Sequence, residues 1–341
     1  IYLDHNATTA ISPEVLEAMM PYLEGRFGNP SSIHAYGQEA QAALYDARES
    51  VSSLINASPN ELLFTSGGTE ADNLAILGAL EAAEGGRRHL IASSVEHHAV
   101  WNLMKALAKK GCPVTLLKVD RDGMVDPQEL GRAMRDDTLL VSIMHANNET
   151  GVIQPVEELA QVARKGGAYF HTDAVQSVGK IPVDVKALDV DMLTLSGHKI
   201  YGPKGIGALY VRRGVKLRPM LRGGGQERSR RPGTENLPGI VGLGRASELA
   251  RSGLMSDNER VADLRDHLEK TVLATISEAT VNGAGAPRTS NTTNLSFAKA
   301  EGETLVIALD LKGFAVSTGA ACSSGSVEPS HVLQAMGLGT E

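Results

Sequence analysis

The chain is short of cysteine and of aromatic side chains: its 341 positions hold two cysteines, one tryptophan and five phenylalanines. The cysteines, Cys112 and Cys322, lie far apart and outside any C-x-x-C pair. A disulfide framework is therefore excluded, as is a cysteine-rich metal cage, and no other metal-ligand grouping is evident. No apolar run is long enough to span a bilayer and no secretory pattern opens the chain, so a soluble, cytoplasmic protein is expected. Positive charge is also scarce. Lys and Arg number 33 against 40 Asp and Glu, a net charge of −7, which leaves no basic stripe for nucleic acid or an anionic membrane surface. The one tight basic cluster, Arg228, Arg230 and Arg231, reads either as a solvated loop or as a docking site for an acidic partner. Ile1 stands where a translated chain would carry methionine, so a short piece is expected to be missing there.

What the chain has in quantity is apolar surface, 42% of its residues, enough for a large core and a length prior of about two domains. Strand-like apolar runs alternate with amphipathic stretches, the pattern of an α/β domain whose mainly parallel sheet lies between helices. Residues 61–65, 88–93, 114–119, 138–144, 168–172, 192–195 and 207–211 read as seven strands. Helices are expected near 69–84, 98–110, 127–135 and 156–165, and an earlier one starts at Ser12-Pro13-Glu14, serine as cap and proline at the first helical position. Residues 13–245 are assigned to this large domain. A smaller α+β unit should occupy 246–341, with a long amphipathic helix over 257–276, strands at 293–297 and 314–317, and a helix over 303–311. Gly242-x-Gly244 lacks the third glycine and the preceding strand of a dinucleotide fingerprint.

Lys199 closes Leu195-Ser196-Gly197-His198-Lys199 at the end of one apolar run, and Asp173 ends another. An amine and a carboxylate at two strand ends suit pyridoxal 5'-phosphate: the amine holds the aldehyde as a Schiff base, and the carboxylate keeps the pyridine nitrogen protonated so that the ring withdraws electrons. Read alone, the same pair is a solvated loop lysine and a helix N-cap. Gly67-Gly68-Thr69 follows a strand and opens a helix, which places backbone N–H groups and a hydroxyl where an anion would sit; alone, it is a tight turn. Cys322 lies in Ser317-Thr318-Gly319-Ala320-Ala321-Cys322-Ser323-Ser324-Gly325-Ser326, a run of small residues with neither helical nor strand period, expected to be a mobile loop that presents a thiol. Cys112, between Gly111 and Pro113, reads as structural.

Six blocks occur in one order: Asp4-His5-Asn6-Ala7-Thr8-Thr9, Gly67 to Asn73, Asn147-Asn148-Glu149-Thr150-Gly151, His171 to Gln176, Ser196 to Lys199, and Arg230-Arg231-Pro232-Gly233-Thr234-Glu235-Asn236. Together they resemble the cysteine desulfurase family, within the class-V aminotransferases of fold-type I, and the longer run to His331 resembles its long-loop subgroup. The resemblance implies that Gly68, Thr69, Ser196 and His198 surround the cofactor phosphate and that Thr234 reaches it from the neighbouring subunit of a homodimer. It implies that His97, after Glu96, stacks on the pyridine ring, that Gln176 donates to the ring's phenolate oxygen, and that Asn148 sits over the ring near the substrate carboxylate. Lys199 would act as base and Cys322 would take sulfur from L-cysteine as a persulfide, releasing alanine for delivery of the sulfur to an acceptor or an iron-sulfur scaffold protein. By the same analogy residues 1–12 pack with the smaller unit.

Three alternatives stay open on sequence: a selenocysteine lyase, a related aminotransferase, and a non-catalytic assembly scaffold that kept the fold. The family's carboxylate-binding arginine lies in a Leu-Arg-Leu-Ser-like segment soon after the cysteine loop. The chain stops at Glu341, just before it, so a C-terminal piece is expected to be missing as well.

Overall fold

The computed structural model describes residues 1–318 and 330–339. Its centre is a seven-stranded sheet of β1 (Leu62–Thr65), β2 (His89–Ser93), β3 (Val114–Leu117), β4 (Thr138–Ser142), β5 (Tyr169–Asp173), β6 (Met192–Ser196) and β7 (Gly207–Val211), in the spatial order β1-β7-β6-β5-β4-β2-β3. Only β7 runs against its neighbours β1 and β6. The other six strands therefore point the same way, and their C-terminal ends share one edge. All seven strands fall where the sequence pattern put them, within a few residues.

Alternation along the strands feeds two cores, broken in β4, where Leu139 and Leu140 both face the second. Leu62, Phe64, Ile91, Val141, Leu193, Leu195, Ala208 and Tyr210 face one core; Leu63, Leu90, Ala92, Leu140, Met192, Leu209 and Val211 face the other. A strand buried on both faces has no polar side to show, which is why these runs are continuously apolar. Helices α3 (Gly68–Ala82) and α4 (His98–Lys109) cover the second core through Leu74, Ala75, Val100 and Met104. Helices α1 (Pro13–Glu24), α2 (Ala35–Leu54) and α6 (Val156–Lys165) cover the first through Val15, Val51, Leu159 and Ala163. Phe170, among the largest fully buried side chains, contributes about 1.5–3 kcal/mol on burial alone. Ser12 caps α1 by accepting from Val15 N at 3.3 Å, and Asp126 caps α5 (Pro127–Ala133) by accepting from Gln128 N at 2.8 Å.

Two departures from the sequence reading concern the C-terminal third. The helix expected from residue 257 is the second half of α8 (Leu237–Thr275), a 39-residue helix that runs through the boundary drawn at 245. Its first half packs on α2: a Cβ on Gly244 would meet Ala47 Cα at 2.8 Å, so the glycines that failed as a nucleotide signature serve close helix contact. The strand expected at 314–317 is a single parallel bridge, Ala315 with Tyr2, flanked by Leu3 N donating to Ala315 O at 2.9 Å. The remaining elements are the hairpin-like pair β8 (Ala279–Val281) and β9 (Leu295–Phe297), α9 (Gly302–Asp310) and the short α10 (His331–Ala335). A short turn, α7 (Gln226–Ser229), carries left-handed backbone at Glu227, Arg228 and Ser229. Among the described residues no helix is long and apolar enough to cross a membrane.

Candidate active site

The shared C-terminal edge of the strands is where an open α/β sheet offers a ligand crevice, and the chemistry-bearing residues gather there. Asp173 is the last residue of β5, opposite Thr194 of β6. The turn after β6 carries Gly197, His198 and Lys199. Glu96 and His97 follow β2, Asn147 and Asn148 follow β4, and Gly67-Gly68-Thr69 joins β1 to α3.

A cavity of about 440 Å³ opens against this edge, lined by Gly68 and Thr69 at the start of α3, Ser196 at the end of β6, and His198 and Lys204. The unpaired N–H groups of α3 and the positive end of its dipole favour an anion here. Glycine lets the turn pack closely against the sheet behind the cavity: a Cβ on Gly68 would meet Val175 Cγ2 at 2.9 Å, and one on Gly207 would meet the backbone of Gly67 at 2.8 Å.

Asp173 is only 4% exposed. Burial raises its carboxyl to about 6, against the opposing pull of the Val175 N–H, which donates at 2.9 Å, and of the Lys199 charge. Asp72, on α3, is buried beside it and raised further, by desolvation first and by Asp173 second. Two buried acids held partly protonated, with only Lys199 pulling Asp173 the other way, form a pair that a protonated pyridine nitrogen would suit. The neutral amides agree: Asn148 Oδ1 is buried without a hydrogen-bond partner. The residues present thus fit pyridoxal phosphate, with an anion cradle at one end and a buried carboxylate at the other.

The Lys199 ammonium donates to the carbonyls of Asn6 and of Ala7, the latter at 2.8 Å. His97 Nδ1 accepts from Ala99 N at 3.2 Å, which leaves Nε2 to carry the proton. Burial, then Lys199, then His98 hold this imidazole down to about 4. His198 is lowered to about 4 by burial and the same lysine. His98 pairs instead with His331, ring centroids 5.0 Å apart. The choice of His97 over His98 thus coincides with the ring that feels the Lys199 charge.

Gln176 donates from Nε2 to Asn6 O at 2.9 Å and accepts at Oε1 from Lys180 at 2.5 Å. Thr234 is exposed and lies outside the cavity lining. Cys322 lies outside the described residues, but both flanks of that stretch are tied to this edge: Ser317 donates to Asp4 Oδ1 at 2.9 Å, and Ser330 donates to Glu149 Oε2 at 2.5 Å. Cys112 is buried, its Sγ 3.2 Å from Arg88 O and its thiol pushed up by burial, as a structural cysteine should be. Nor is the arginine cluster a solvated stripe, for Arg231 pairs with Glu70 at 2.8 Å and Arg228 donates to Leu62 O.

Sequence reasoning passed over Asp72, Glu96, Glu149, Lys180 and the roles of Asn6 and Ser330. Asn6, Asp72 and Glu149 offered a signal, since each sits in one of the six ordered blocks, but a carboxylate in sequence looks the same whether solvated or packed.

The chain belongs to the class-V aminotransferase family, whose profile matches residues 1–340. Within it, the similar proteins are cysteine desulfurases: a cysteine desulfurase IscS of Dictyoglomus turgidum is 51% identical over 341 residues, covering 100% of this chain and 86% of that one. A cysteine desulfurase of Trichormus azollae is 53% identical over 338 residues, 99% and 84%. Among solved structures, a NifS-like protein superposes with TM-score 0.93 at 40% identity, covering 100% of this chain and 90% of that one. SspA in complex with cysteine gives 0.87 at 38%, covering 99% and 94%. Enzymes of this group depend on pyridoxal phosphate.

Proposed function

We infer that the protein is a pyridoxal-phosphate-dependent cysteine desulfurase that converts L-cysteine to L-alanine and keeps the sulfur as a persulfide on Cys322. The observation that carries the reading is the convergence of Lys199, the buried Asp173 and the glycine-lined anion cradle on one strand edge, in a chain half identical to cysteine desulfurases over its whole length. A substrate of this kind is supported further by the solved relative in complex with cysteine.

In this reading Gly68, Thr69, Ser196 and His198 hold the cofactor phosphate, with Thr234 reaching it from a second subunit. Its exposure in one chain agrees with that role, as does the exposed apolar surface of Phe27, Ile33 and Tyr36. When bound, pyridoxal phosphate withdraws electrons from the Cα of the attached amino acid and so weakens its C–H and C–S bonds. Asp173 would keep a proton on the pyridine nitrogen. His97, held down to about 4 and so neutral at physiological pH, would face the ring without adding a competing charge. Gln176 would donate to the ring oxygen, and Asn148 would serve the substrate carboxylate. Lys199 Nζ removes the Cα proton and returns one. Cys322 Sγ attacks the substrate sulfur: an S–S bond forms, the C–S bond breaks, its electron pair stays with carbon, and protonation there yields alanine. The balance is one L-cysteine and one thiol to one alanine and one persulfide, with no outside oxidant.

The same reading includes the division into a large unit, 13–245, and a smaller one of 1–12 with 246–341, and a protein acceptor for the sulfur such as an iron-sulfur scaffold. The test of the site is Lys199→Ala. This variant should lose the borohydride-fixable attachment of the cofactor and turn over L-cysteine at least about a hundredfold more slowly, the lower range for a missing acid-base group. An unaltered fixable adduct would refute the assignment.

A further inference from the structure

Asn6 and Lys180 form a polar knot around Gln176 and Lys199. The Asn6 carbonyl accepts from Lys199 and from Gln176 Nε2, its Oδ1 accepts from Asn291 Nδ2 at 2.9 Å and faces Lys180 Nζ at 3.4 Å, and its Nδ2 donates to Thr292 Oγ1 at 2.8 Å. Lys180 lies four residues beyond Gln176 and places its ammonium 2.5 Å from Gln176 Oε1.

The physical point is the two-ended nature of an amide. A glutamine offers a donor at one end and an acceptor at the other, and the two differ little in shape. Only the NH₂ end can serve a negatively charged ring oxygen; presenting the carbonyl there would set acceptor against acceptor. An ammonium group donates and never accepts, so the end of Gln176 that meets Lys180 must be the carbonyl, and the NH₂ end, which donates one hydrogen to Asn6 O, keeps its second for a ring oxygen. We propose that Lys180 is a positioning residue, which fixes the Gln176 amide with its donor end toward the cofactor ring. The inference rests on the functional reading above, in which Gln176 serves that oxygen.

Removing Lys180 leaves Gln176 Oε1 without its donor in a part-buried site, a loss that a flipped or displaced amide would relieve. Among the described residues, the titratable groups acting on Lys180 are the Lys199 ammonium and the neutral His198 imidazole. Burial and the Lys199 charge lower Lys180 to about 7. Engagement of Lys199 by a ligand removes one neighbouring cation, which favours the donating ammonium.

The experiment is a pH titration of the visible band of the cofactor-loaded protein in Lys180→Met, Lys180→Arg, Gln176→Leu and the Lys180→Met/Gln176→Leu double variant. Losing a donor to the ring oxygen makes the adjacent nitrogen hold its proton to higher pH, so K180M should move the midpoint up by about one unit, the low end for loss of one charged or hydrogen-bonded neighbour. K180R should titrate within a few tenths of the unchanged protein. In the Q176L background the K180M shift should fall to half or less, because the two residues act as a unit. K180Q, uncharged and able to face either end of the amide, makes the same test where methionine is not accommodated. An unshifted midpoint in K180M, or a shift of equal size in both backgrounds, overturns the positioning role, the second outcome marking a direct effect of charge. If the unchanged protein gains no visible band with pyridoxal phosphate, the functional reading itself falls, which is a separate result.

Discussion

Glu96 has a side chain that is fully buried, accepting from Ser93 Oγ at 2.5 Å and from Met144 N at 3.0 Å. Desolvation raises it to about 8, the two hydrogen bonds pulling the other way. A carboxyl whose folded value lies above its unfolded one holds an extra proton in the native state. Its contribution to stability is complete below pH 4.5 and is lost as pH rises toward 8. Glu149, raised to about 7 by burial, adds to the same trend. Relative to Glu96→Gln, which cannot titrate, the unchanged cofactor-free protein should therefore lose urea resistance between about pH 5 and 8, over and above the opposite contribution of the depressed histidines that both proteins share. Parallel midpoint curves for the two proteins would count against the protonated state. Nothing in the sequence marked Glu96 as different from any loop glutamate; its neighbour His97 stood out only because the family pattern has a histidine directly after a glutamate.

At the scale of elements, the strand edge and the α3 N-terminus do the positioning, and glycine makes their approach close enough. Gly207→Ala would put a methyl group at 2.7 Å from Leu195 O and 2.8 Å from the Gly67 backbone. Because those contacts are main chain, β7 or the Gly67-Gly68 turn must shift. We expect a stability loss of about 1–3 kcal/mol, the usual cost of overpacking, with weaker pyridoxal phosphate affinity in a fluorescence titration. Unchanged affinity would mean that the turn does not shape the cradle.

These seven strands were legible because a strand covered on both faces must be apolar throughout, and α1 because its serine-proline start is local chemistry. Helix α2 was not read, since alanine, glycine and serine make its apolar stripe faint. The fused helix α8 was half read, because Gly239, Gly242 and Gly244 in its first half look like breakers until the packing on Ala47 is seen. The bridge between Tyr2 and Ala315 joins residues more than 300 positions apart, a pairing that periodicity cannot announce.

For the whole molecule, the anion cradle was readable from Gly67-Gly68-Thr69 and the lysine-aspartate pair from their strand ends, whereas the knot around Asn6 depends on three distant segments meeting. The division of labour between subunits has its own test. If Thr234 completes the partner's site, a mixed dimer of Lys199→Ala and Thr234→Val chains contains one site with both groups intact, in the Thr234→Val subunit. Mixed dimers should then bind pyridoxal phosphate at half their sites with the affinity of the unchanged protein, while Thr234→Val alone binds more weakly at both. Uniformly weak binding in the mixed dimer would place Thr234 in its own subunit's site.

The central claim is that one pocket joins an amine, an acid and a thiol to move sulfur from L-cysteine. It is tested most directly by incubating the cofactor-loaded protein with L-cysteine, quantifying alanine and mapping modified residues by mass spectrometry. The account predicts alanine together with a sulfur atom added at Cys322, and neither alanine nor added sulfur in Cys322→Ser despite an unchanged visible band. Full alanine production by the serine variant, or sulfur found on Cys112 in place of Cys322, would contradict it.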